Sequence, residues 1–237
     1  MTHAVLELAD VVKDYRGLRP LRLQHLAVHP GDSVAIVGFD QLMAEVFVNL
    51  VTGTTLPDSG EVRVFGRPTA DVSDSADWLA LVDRFGIVSA RAVLLGGLSV
   101  IQNLSMPFTL EIEPPPEDVR SRAARLAAEV GLTELSWSRP VAQLGPADLA
   151  HLRVARALAN DPAVLLLEHA SADIPRGEVR SLGAGIQAVA GKRNLAVVAV
   201  TADQEFATAV AARVLTLEPA TGRLKERRVG WFSRQLG

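Results

Sequence analysis

Three continuous apolar runs place the strongest limit on how this chain can fold. They are "SVAIVG" from Ser33, "AVLLLE" from Ala163 and "LAVVAVT" from Leu195, and each precedes a segment with helical spacing. Strands that are covered on both faces have unbroken apolar sequences, whereas strands with one wet face alternate apolar and polar residues. The runs therefore predict an α/β protein with a doubly wound, mostly parallel sheet.

The segments around these runs predict two further units. The first thirty residues alternate in "VLELADVVKDY" and "LRLQHLAVHPGD", as strands of an antiparallel sheet do. From about Leu98 to Ala159, "PPPEDVRSRAARLAAEVGL" and "PADLAHLRVARALAND" each start a helix with proline followed by acidic residues. Within a single domain, 1–237, we predict an antiparallel β-subdomain (1–32 and 60–68), an α/β core (33–59, 69–89 and 160–224), a helical subdomain (90–159) and a basic tail (225–237).

Composition excludes several classes of function. The net charge of -3, with basic and acidic residues interspersed, provides no basic surface for nucleic acid. Cysteine is absent, which excludes disulfides and fits a reducing compartment, and the histidines lack metal-ligand spacing, so no metal site is expected. No apolar run reaches the roughly 18 residues that span a bilayer. We expect a cytoplasmic protein that reaches the inner face of the cell membrane only through a partner.

The stretch from Ser33 to Gly53 has the frame of a phosphate-binding loop, with a buried strand, a turn after Gly38 and a helix that ends at a glycine. Framework segments follow it in order, namely "VTGTTLPDSGEVRVFGRP", "LLGGLSVIQNLSMPF" and "RVARALANDPAVLLLE". With these segments the chain, from about Leu6 to Leu224, resembles the nucleotide-binding subunit of an ATP-binding cassette (ABC) transporter. The resemblance implies a P-loop NTPase-type parallel core, an N-terminal antiparallel β-subdomain and an inserted helical subdomain.

The loop itself departs from the family's pattern, Gly-x-x-Gly-x-Gly-Lys-[Ser/Thr]. The aligned residues read "GFDQLMAE", so Gly38 alone is retained, and Met43, Ala44 and Glu45 replace a glycine, the lysine and the hydroxyl. In the family the glycines let backbone N–H groups surround phosphate, the lysine neutralises its charge and the hydroxyl binds magnesium. Glu45 is predicted to place a carboxylate at the helix N-terminus, where an anion would otherwise bind. An arginine from elsewhere in the chain remains an open replacement for the lysine.

The other nucleotide motifs are altered as well. By the resemblance, the catalytic positions are degenerate: Ala90 stands for the Q-loop glutamine, Glu168 for the Walker B aspartate, His169 for the catalytic glutamate and Ala202 for the switch histidine. Alternatively, Glu168 and His169 are a surface acid and a hydrogen-bonded histidine. Tyr15 matches the aromatic that stacks on adenine, or is a partly buried structural residue. The signature Leu-Ser-Gly-Gly-Gln aligns with Leu144, Gly145, Pro146, Ala147 and Asp148, where the proline cannot donate an N–H to phosphate across a dimer.

These losses predict a pseudo-ATPase subunit of an ABC-type membrane transport complex. By the resemblance it docks a membrane permease and dimerises, either with itself or with another ABC ATPase-like subunit. We expect no cofactor, with ATP and Mg²⁺ bound weakly at most. The residues assigned to permease docking are Arg91, Leu94, Leu95, Leu98, Val100, Met106 and Phe108.

Two alternatives to this function stay open. One is a divergent but active ABC-type ATPase that uses Glu168, His169 and an arginine in place of the lysine. The other is a soluble regulatory protein that reuses the fold for an unrelated ligand. The basic C-terminal tail, with Trp231 and Phe232, contacts a partner or lipid headgroups on one interpretation and is a solvated end on the other.

Overall fold

The computed structural model describes residues 3–226, which form two β-sheets and eight α-helices. In chain order the strands are β1 (Leu6–Lys13), β2 (Leu21–Val28), β3 (Ser33–Val37), β4 (Ser59–Val64), β5 (Arg67–Pro68), β6 (Phe85–Val88), β7 (Val164–Glu168), β8 (Ala196–Thr201), β9 (Arg213–Glu218) and β10 (Arg223–Glu226). The helices are α1 (Gln41–Val51), α2 (Ser75–Val82), α3 (Val100–Ser105), α4 (Glu117–Glu129), α5 (Glu134–Trp137), α6 (Pro146–Ala157), α7 (Arg176–Arg193) and α8 (Gln204–Val210).

The larger sheet has the order β10-β9-β3-β8-β7-β6. Strands β9 to β6 run parallel to their neighbours, and β10 is antiparallel to β9. Both β7 and β8 are buried at every position, which is the burial that the continuous apolar runs predicted. The predicted parallel α/β core is confirmed.

The end of this sheet differs from the predicted boundary of the tail. Strand β10 pairs with β9 as far as Glu226, opposite Leu215, because the turn at Gly222 folds the chain back. Lys225 and Glu226 are therefore strand residues rather than the start of a tail. Trp231 and Phe232 lie outside the described residues.

The smaller sheet has the order β2-β1-β4-β5 and is antiparallel throughout, as the alternating sequence predicted. Its register shifts between Ala9 and Val12, where Asp10 has a φ of 49°. Gly60 of β4 lies opposite this shift in register and has a φ of +82°. A Cβ at this position would lie 2.3 Å from the Asp10 carbonyl oxygen. A side chain at position 60 is therefore excluded by both backbone conformation and space.

Hydrophobic clusters cover the two faces of the larger sheet. Val34 and Ile36 of β3 pack with α1 and the smaller sheet, whereas Ala35 faces the cluster that contains α8 and the helices α3 to α6. Because successive strand residues point to opposite faces, one strand contributes to both clusters. No helix among residues 3–226 is long and apolar enough to cross a lipid bilayer.

The connecting segment, residues 89–99, joins β6 to α3 and leads into these helices. Ser99 caps α3 in a capping box, in which its Oγ accepts from the Gln102 N–H at 3.2 Å and Gln102 Oε1 accepts from the Ser99 N–H at 2.8 Å. The fully buried Asn103 holds the segment through its amide, which accepts from the Leu95 N–H at 2.8 Å and donates to the Leu95 carbonyl at 3.1 Å. The segment is thus fixed at its α3 end by side-chain hydrogen bonds.

Candidate functional site

Residues 38–45 align with the family's phosphate-binding loop, and from Gln41 onward they form the start of α1. Gly38 leaves β3 with a φ of +106°, a conformation that glycine adopts freely. The Asp40 carboxylate caps α1 by accepting from the Met43 N–H at 2.7 Å, and its carbonyl accepts from the Ala44 N–H at 3.0 Å. Two backbone donors that could surround an anion are therefore already hydrogen-bonded within the chain.

The early start of α1 corrects the prediction for Glu45. The helix begins at Gln41, so Glu45 lies in its second turn, and no acidic residue lies in the first turn. Met43 and Ala44 are buried on the inner face of the helix, because "QLMAEVFV" has apolar residues at helical spacing and lacks the glycines of a loop. The interaction of Glu45 with the helix N-terminus, expected from the aligned motif, is absent from this arrangement.

Arg91 lies between the carboxylates of Glu45 and Glu168, which the resemblance aligns with magnesium-binding positions of the family. Its Nη1 lies 3.0 Å from Glu45 Oε1, and its Nη2 lies 2.6 Å from Glu168 Oε2. Gln41 completes the cluster, since its Nε2 donates to Glu168 Oε1 at 2.9 Å. We call these four residues, Gln41, Glu45, Arg91 and Glu168, the arginine cluster.

Glu168 is buried, which corrects its alternative prediction as a surface acid. Its side chain is 0% exposed, because β7 lies inside the sheet and α1 covers its C-terminal end. A carboxylate in this position requires a cation and hydrogen-bond donors, and Arg91 and Gln41 supply them. Arg91 was assigned to permease docking from the sequence; the structure places its guanidinium in the arginine cluster instead.

The charges of this region disfavour a bound triphosphate. One guanidinium faces two carboxylates, so the arginine cluster has a formal net charge of one negative unit, and the Asp40 carboxylate lies at the start of the same helix. A repulsive unit pair about 4 Å apart costs roughly 4 kcal/mol at an effective dielectric near 20. The only cation of the arginine cluster is thus already paired with two carboxylates, and the Met43 and Ala44 N–H groups already have acceptors within the chain.

His169 follows Glu168 in a left-handed conformation, with a φ of 44°. Its backbone N–H donates to the Val200 carbonyl at 3.0 Å, whereas its Nε2 is buried and has no hydrogen-bond partner among the described residues. The prediction of a hydrogen-bonded imidazole is therefore wrong for this nitrogen. The backbone strain and the unpartnered nitrogen both lie directly after the Walker B-like strand.

Ala202, which the resemblance aligns with the switch histidine, is exposed and has no polar side-chain group. The next residue, Asp203, makes the polar contacts at this end of β8. Asp203 caps α8 by accepting from the Glu205 and Phe206 N–H groups at 3.0 and 3.2 Å. The same residue accepts from Ser171 Oγ at 3.2 Å. Ala90, at the end of β6, is likewise exposed and carries no polar group.

Tyr15 is partly buried against the hydrophobic cluster that contains α1, on the side of Asp40. Burial and, to a smaller extent, the Asp40 carboxylate raise the pKa of its hydroxyl. A Cβ at Gly17 would lie 2.4 Å from the Tyr15 ring, so glycine there makes room for the side chain. The structure therefore brings Tyr15 close to Asp40 and leaves its predicted stacking role as a prediction.

The signature-like segment forms the start of α6. Gly145 precedes the helix without a side-chain cap, Pro146 is its first residue, and Asp148 lies in its first turn. Leu144 is buried, whereas Gly145 and Pro146 are exposed. Proline is suited to the first helical position because its missing N–H has no partner within a helix there.

The residues assigned to docking separate into two groups. Val100 is fully buried at the start of α3, so the prediction that it contacts a partner is wrong. Phe108 packs against the core and lies beneath the Arg122 guanidinium, 3.9 Å from it. The assigned residues of partial or greater exposure are Leu94, Leu95, Leu98, Met106 and Phe108, together with Arg91 of the arginine cluster.

A groove lies between the connecting segment and α6, and we call it the α6 groove. Its volume is about 230 Å³. Val93, 70% exposed, lies beside it, and the Val93 carbonyl accepts a hydrogen bond from Arg156 Nη1. The residues that line it include Phe85, Ile87, Leu94, Arg153, Arg156 and Ala157.

Sequence reasoning missed three residues of this site. Asp40 stands at a variable position of the aligned motif and Gln41 replaces one of its glycines. The sequence did not predict that Asp40 would cap α1 or that Gln41 would contact Glu168 of β7. Arg91 follows Ala90 at the C-terminal end of β6, where parallel strands bring their ends together. The position of Arg91 just after β6 was the one sequence signal for the arginine that could replace the lysine of the motif.

No protein-family model matches the chain, but several known proteins are similar to it. It is 28% identical over 227 residues to the methionine import ATP-binding protein MetN of Mesorhizobium japonicum, with 96% of the chain and 61% of that protein covered. It is 30% identical over 227 residues to MetN of Caulobacter vibrioides, with 94% and 66% covered. It is 34% identical over 183 residues to the macrolide export ATP-binding/permease protein MacB of Azoarcus sp., with 75% and 26% covered. The chain spans about three fifths of the length of the MetN relatives.

Solved structures give the same result for the fold. The dimeric ATP-binding cassette MJ0796, in a post-hydrolysis state bound to ADP and Pi, matches with a TM-score of 0.76 at 23% identity over 94% of this chain and 99% of that one. The cbiO1 protein of Clostridium perfringens, part of the ABC transporter complex cbiONQ, matches with a TM-score of 0.77 at 18% identity over 94% and 87%. The chain belongs to the ATP-binding cassette family, as a nucleotide-binding domain of that fold.

Proposed function

We propose that this protein is a non-hydrolysing cassette subunit of a membrane transport complex. The observation that carries the proposal is the Arg91 guanidinium, which bridges Glu45 and Glu168 where the family's motifs hold magnesium and phosphate. The relatives support the transport part, since their names describe import of methionine and export of macrolides with ATP-binding and permease components. The nature of the transported compound does not follow from these names.

Binding of Mg²⁺-ATP requires the arginine cluster to open. A metal ion held by the Glu45 and Glu168 carboxylates would have to replace Arg91 there, and phosphate beside it would face the Asp40 carboxylate and the Met43 and Ala44 N–H groups, which already have acceptors. No lysine compensates, because position 44 is alanine and the nearest lysines in sequence are Lys13 and Lys192. Weak nucleotide binding and no productive hydrolysis are the expected consequences.

The protein would then act through its surfaces. Its partners are a permease, which the α6 groove and the exposed part of the connecting segment receive, and a second cassette subunit of the same or another kind. Through the permease it lies in the cytoplasm against the inner face of the membrane. Co-purification from membranes with a permease supports this arrangement, whereas a soluble complex without membrane proteins favours the regulatory alternative.

The test of the non-hydrolysing role is a titration of the purified chain with fluorescent ATP and Mg²⁺ into the millimolar range. The wild type is expected to show no saturable binding, and a Tyr15→Ala variant is expected to behave identically. A dissociation constant tighter than about 10 μM, roughly -7 kcal/mol, that is lost in Tyr15→Ala contradicts the proposal. Leu18→Ala is the matched control, because Leu18 is fully exposed in the same loop and packs against nothing.

Two observations keep a divergent ATPase as the second candidate. Arg91 supplies an arginine at the site, and His169 presents a buried nitrogen without a partner, as a general base could. If this candidate is correct, ATP hydrolysis is measurable and is abolished in both His169→Ala and Arg91→Ala. Absence of hydrolysis in the wild type, with the chain folded, excludes it.

A further inference from the structure

A second cavity lies between α4, the loop that follows α6 and the C-terminal end of α7, and we call it the α4 cavity. Its volume is about 180 Å³, and three arginines line it, namely Arg122 and Arg125 of α4 and Arg193 of α7. The acidic residues that line it are Glu129 and Asp161. Three cations and two anions leave the lining with a formal charge of plus one, although the chain as a whole is acidic.

Arg193 occupies both of these acids. Its Nε and Nη2 donate to the two oxygens of the Glu129 carboxylate, the Nε bond being 2.7 Å long, and its Nη1 donates to Asp161 Oδ1 at 2.9 Å. Glu129 stands four residues after Arg125, a spacing that allows an ion pair along a helix, but its carboxylate binds Arg193 instead. Within residues 3–226, no ion pair includes Arg122 or Arg125.

The two arginines of α4 lie three residues apart and both line the cavity. Arg122 stacks on the Phe108 ring, with its Cζ 3.9 Å from the ring centroid, and this contact holds the cation beside the cavity. Like charges at this helical spacing repel each other, and an anion between them replaces the repulsion with two attractions. The uncompensated positive charge is therefore concentrated on the α4 side of the cavity.

The size and charge of the cavity favour a small oxyanion. Small-molecule sites usually enclose about 300–1,000 Å³, and the α4 cavity is smaller. Guanidinium groups are planar donors that bind two oxygens of a phosphate or a carboxylate at once. A phosphate group carries about -1.5 to -2 charges at neutral pH and three acceptor oxygens, so it matches two arginines better than a singly charged carboxylate does.

We propose that the α4 cavity binds a phosphate group between Arg122 and Arg125, from either a soluble phosphate compound or a lipid headgroup. Arg193 faces the same cavity from α7 while it stays bonded to Glu129, so bound phosphate adds an electrostatic link between α4 and the end of α7. The α4 cavity shares no residue with the arginine cluster, and its ligand is independent of whether the chain hydrolyses ATP.

Titration of the isotope-labelled full chain with inorganic phosphate tests the proposal, followed by NMR in a phosphate-free buffer at constant ionic strength. The side-chain Nε–H signals of Arg122 and Arg125 are expected to shift and to saturate, with a dissociation constant of about 1 mM or tighter. Acetate, titrated in the same way, is expected to bind at least about 10-fold more weakly, because it has one charge and two oxygens.

Variants of α4 assign the binding to the cavity. Arg125→Gln is expected to weaken phosphate binding roughly 10- to 100-fold, the range of a hydrogen bond to a charged group. It is expected to keep the fold, since Arg125 is exposed, and circular dichroism checks this. The double variant Arg122→Gln with Arg125→Gln is expected to show no saturable binding. Arg120→Gln is the matched control, because Arg120 is an exposed arginine of the same helix outside the cavity lining, and less than a twofold change is expected.

Vesicles distinguish the two sources of phosphate. The chain is sedimented with vesicles of phosphatidylcholine alone or mixed with phosphatidic acid, whose headgroup is a phosphate monoester. Sedimentation with the mixed vesicles that is lost in Arg125→Gln and kept in Arg120→Gln supports the site and assigns the phosphate to a lipid. Saturable binding of inorganic phosphate without vesicle binding supports the site and assigns it to a soluble compound.

Four results overturn the proposal. They are the absence of binding to both inorganic phosphate and the mixed vesicles, acetate binding as tight as phosphate binding, equal losses of affinity in Arg125→Gln and Arg120→Gln, and unchanged affinity in the double variant. The last result shows that phosphate binds elsewhere on the chain. ATP binding tighter than about 10 μM contradicts the non-hydrolysing role and leaves the result for the α4 cavity intact.

Discussion

Two arginines in this molecule each lie between two carboxylates, and the burial of their partners differs. In the arginine cluster, Arg91 pairs with Glu168, whose side chain is 0% exposed, and with the partly exposed Glu45. Arg193, at the end of α7, pairs with acids whose side chains are 25% and 84% exposed, Glu129 and Asp161. The same arrangement of charges therefore occurs once with a fully buried acid and once with acids that are partly or largely exposed.

The Arg193 cluster connects two helices in contact with water. Arg193 donates through Nε to Glu129 Oε1 at 2.7 Å and through Nη1 to Asp161 Oδ1 at 2.9 Å and the Leu158 carbonyl at 3.1 Å. These bonds, above all the one to Glu129, raise the pKa of Arg193. Water can solvate Glu129 and Asp161 if the arginine is removed, whereas Glu168 has no such substitute. The comparison teaches that burial of the partner, rather than the number of ion pairs, sets the importance of each arginine.

Replacing Arg91 tests the buried side of this comparison and has the largest expected effect. Arg91→Ala leaves the Glu168 carboxylate buried without a cation and is expected to lower the free energy of unfolding by about 3 kcal/mol. Urea denaturation followed by circular dichroism measures the change. A loss below about 1 kcal/mol contradicts the comparison, because it shows that water reaches Glu168 as easily as it reaches Glu129.

A double variant separates charge from packing in the arginine cluster. Arg91→Met combined with Glu168→Leu removes both charges and keeps similar volumes, so its stability is expected to return to within about 1 kcal/mol of the wild type. If the double variant is as unstable as Arg91→Ala, the hydrogen bonds with Gln41 and Glu45 are needed for the shape of the site.

Replacing Arg193 tests the exposed side. Arg193→Ala removes several charge-assisted hydrogen bonds but leaves acids that water can solvate, so a loss of about 1.5 kcal/mol is expected. The same urea titration gives the value, and raising the salt concentration should reduce the difference from wild type, since exposed charges are screened. An effect equal to that of Arg91→Ala removes the distinction between the two clusters.

Removing the N-cap of α1 sharpens the comparison, because α1 carries Gln41 and Glu45 of the arginine cluster and no residue of the Arg193 cluster. Asp40→Ala deletes the acceptor for the Met43 N–H and is expected to destabilise the protein by about 1 kcal/mol. Hydrogen exchange at Met43 reports the local effect, because this amide loses its partner. Asp40→Asn is the control, since asparagine is an equally good cap, and a loss as large as that of alanine argues against capping as the cause.

The smallest effect is expected where each cluster meets water. Glu45→Gln and Asp161→Asn each remove one exposed acid from an arginine that keeps its other partner, and losses of about 0.5 kcal/mol or less are expected. Differential denaturation against wild type at matched salt detects such changes. A loss above about 2 kcal/mol in Glu45→Gln assigns to Glu45 the role that we give to Glu168.

The fold was accessible from the sequence because its determinants are local in the chain. Continuous apolar runs identified β3, β7 and β8, and alternation identified the antiparallel sheet. The end of β10 was missed because pairing with β9 depends on the turn at Gly222, which the basic composition of the following residues obscured.

The candidate site was predicted less well, since its contacts join residues far apart in sequence. Glu168 was aligned with the Walker B position from the sequence, but its burial and its pairing with Arg91 depend on where β6, β7 and α1 begin and end. The start of α1 at Gln41 was missed because the aligned motif predicts a loop there, whereas residues without glycine continue a helix. Val100 was assigned to an exposed docking surface, but it is the first residue of α3 after the Ser99 cap and its side chain is buried.

The start of α1 at Gln41 would make a phosphate-binding loop difficult to restore if, as proposed, the chain does not hold nucleotide productively. Ala44→Lys alone would place an ammonium group on a buried face of a helix, not in a loop that curls around an anion. Forming such a loop would require glycines that unwind the first turn of α1, removal of the Asp40 cap and release of Arg91 from its ion pairs. Each of these changes alone lowers the stability of the fold without providing a bound ligand that offsets the loss. Under the proposed function, the contacts that stabilise the start of α1 are therefore the same contacts that would oppose a return to phosphate binding.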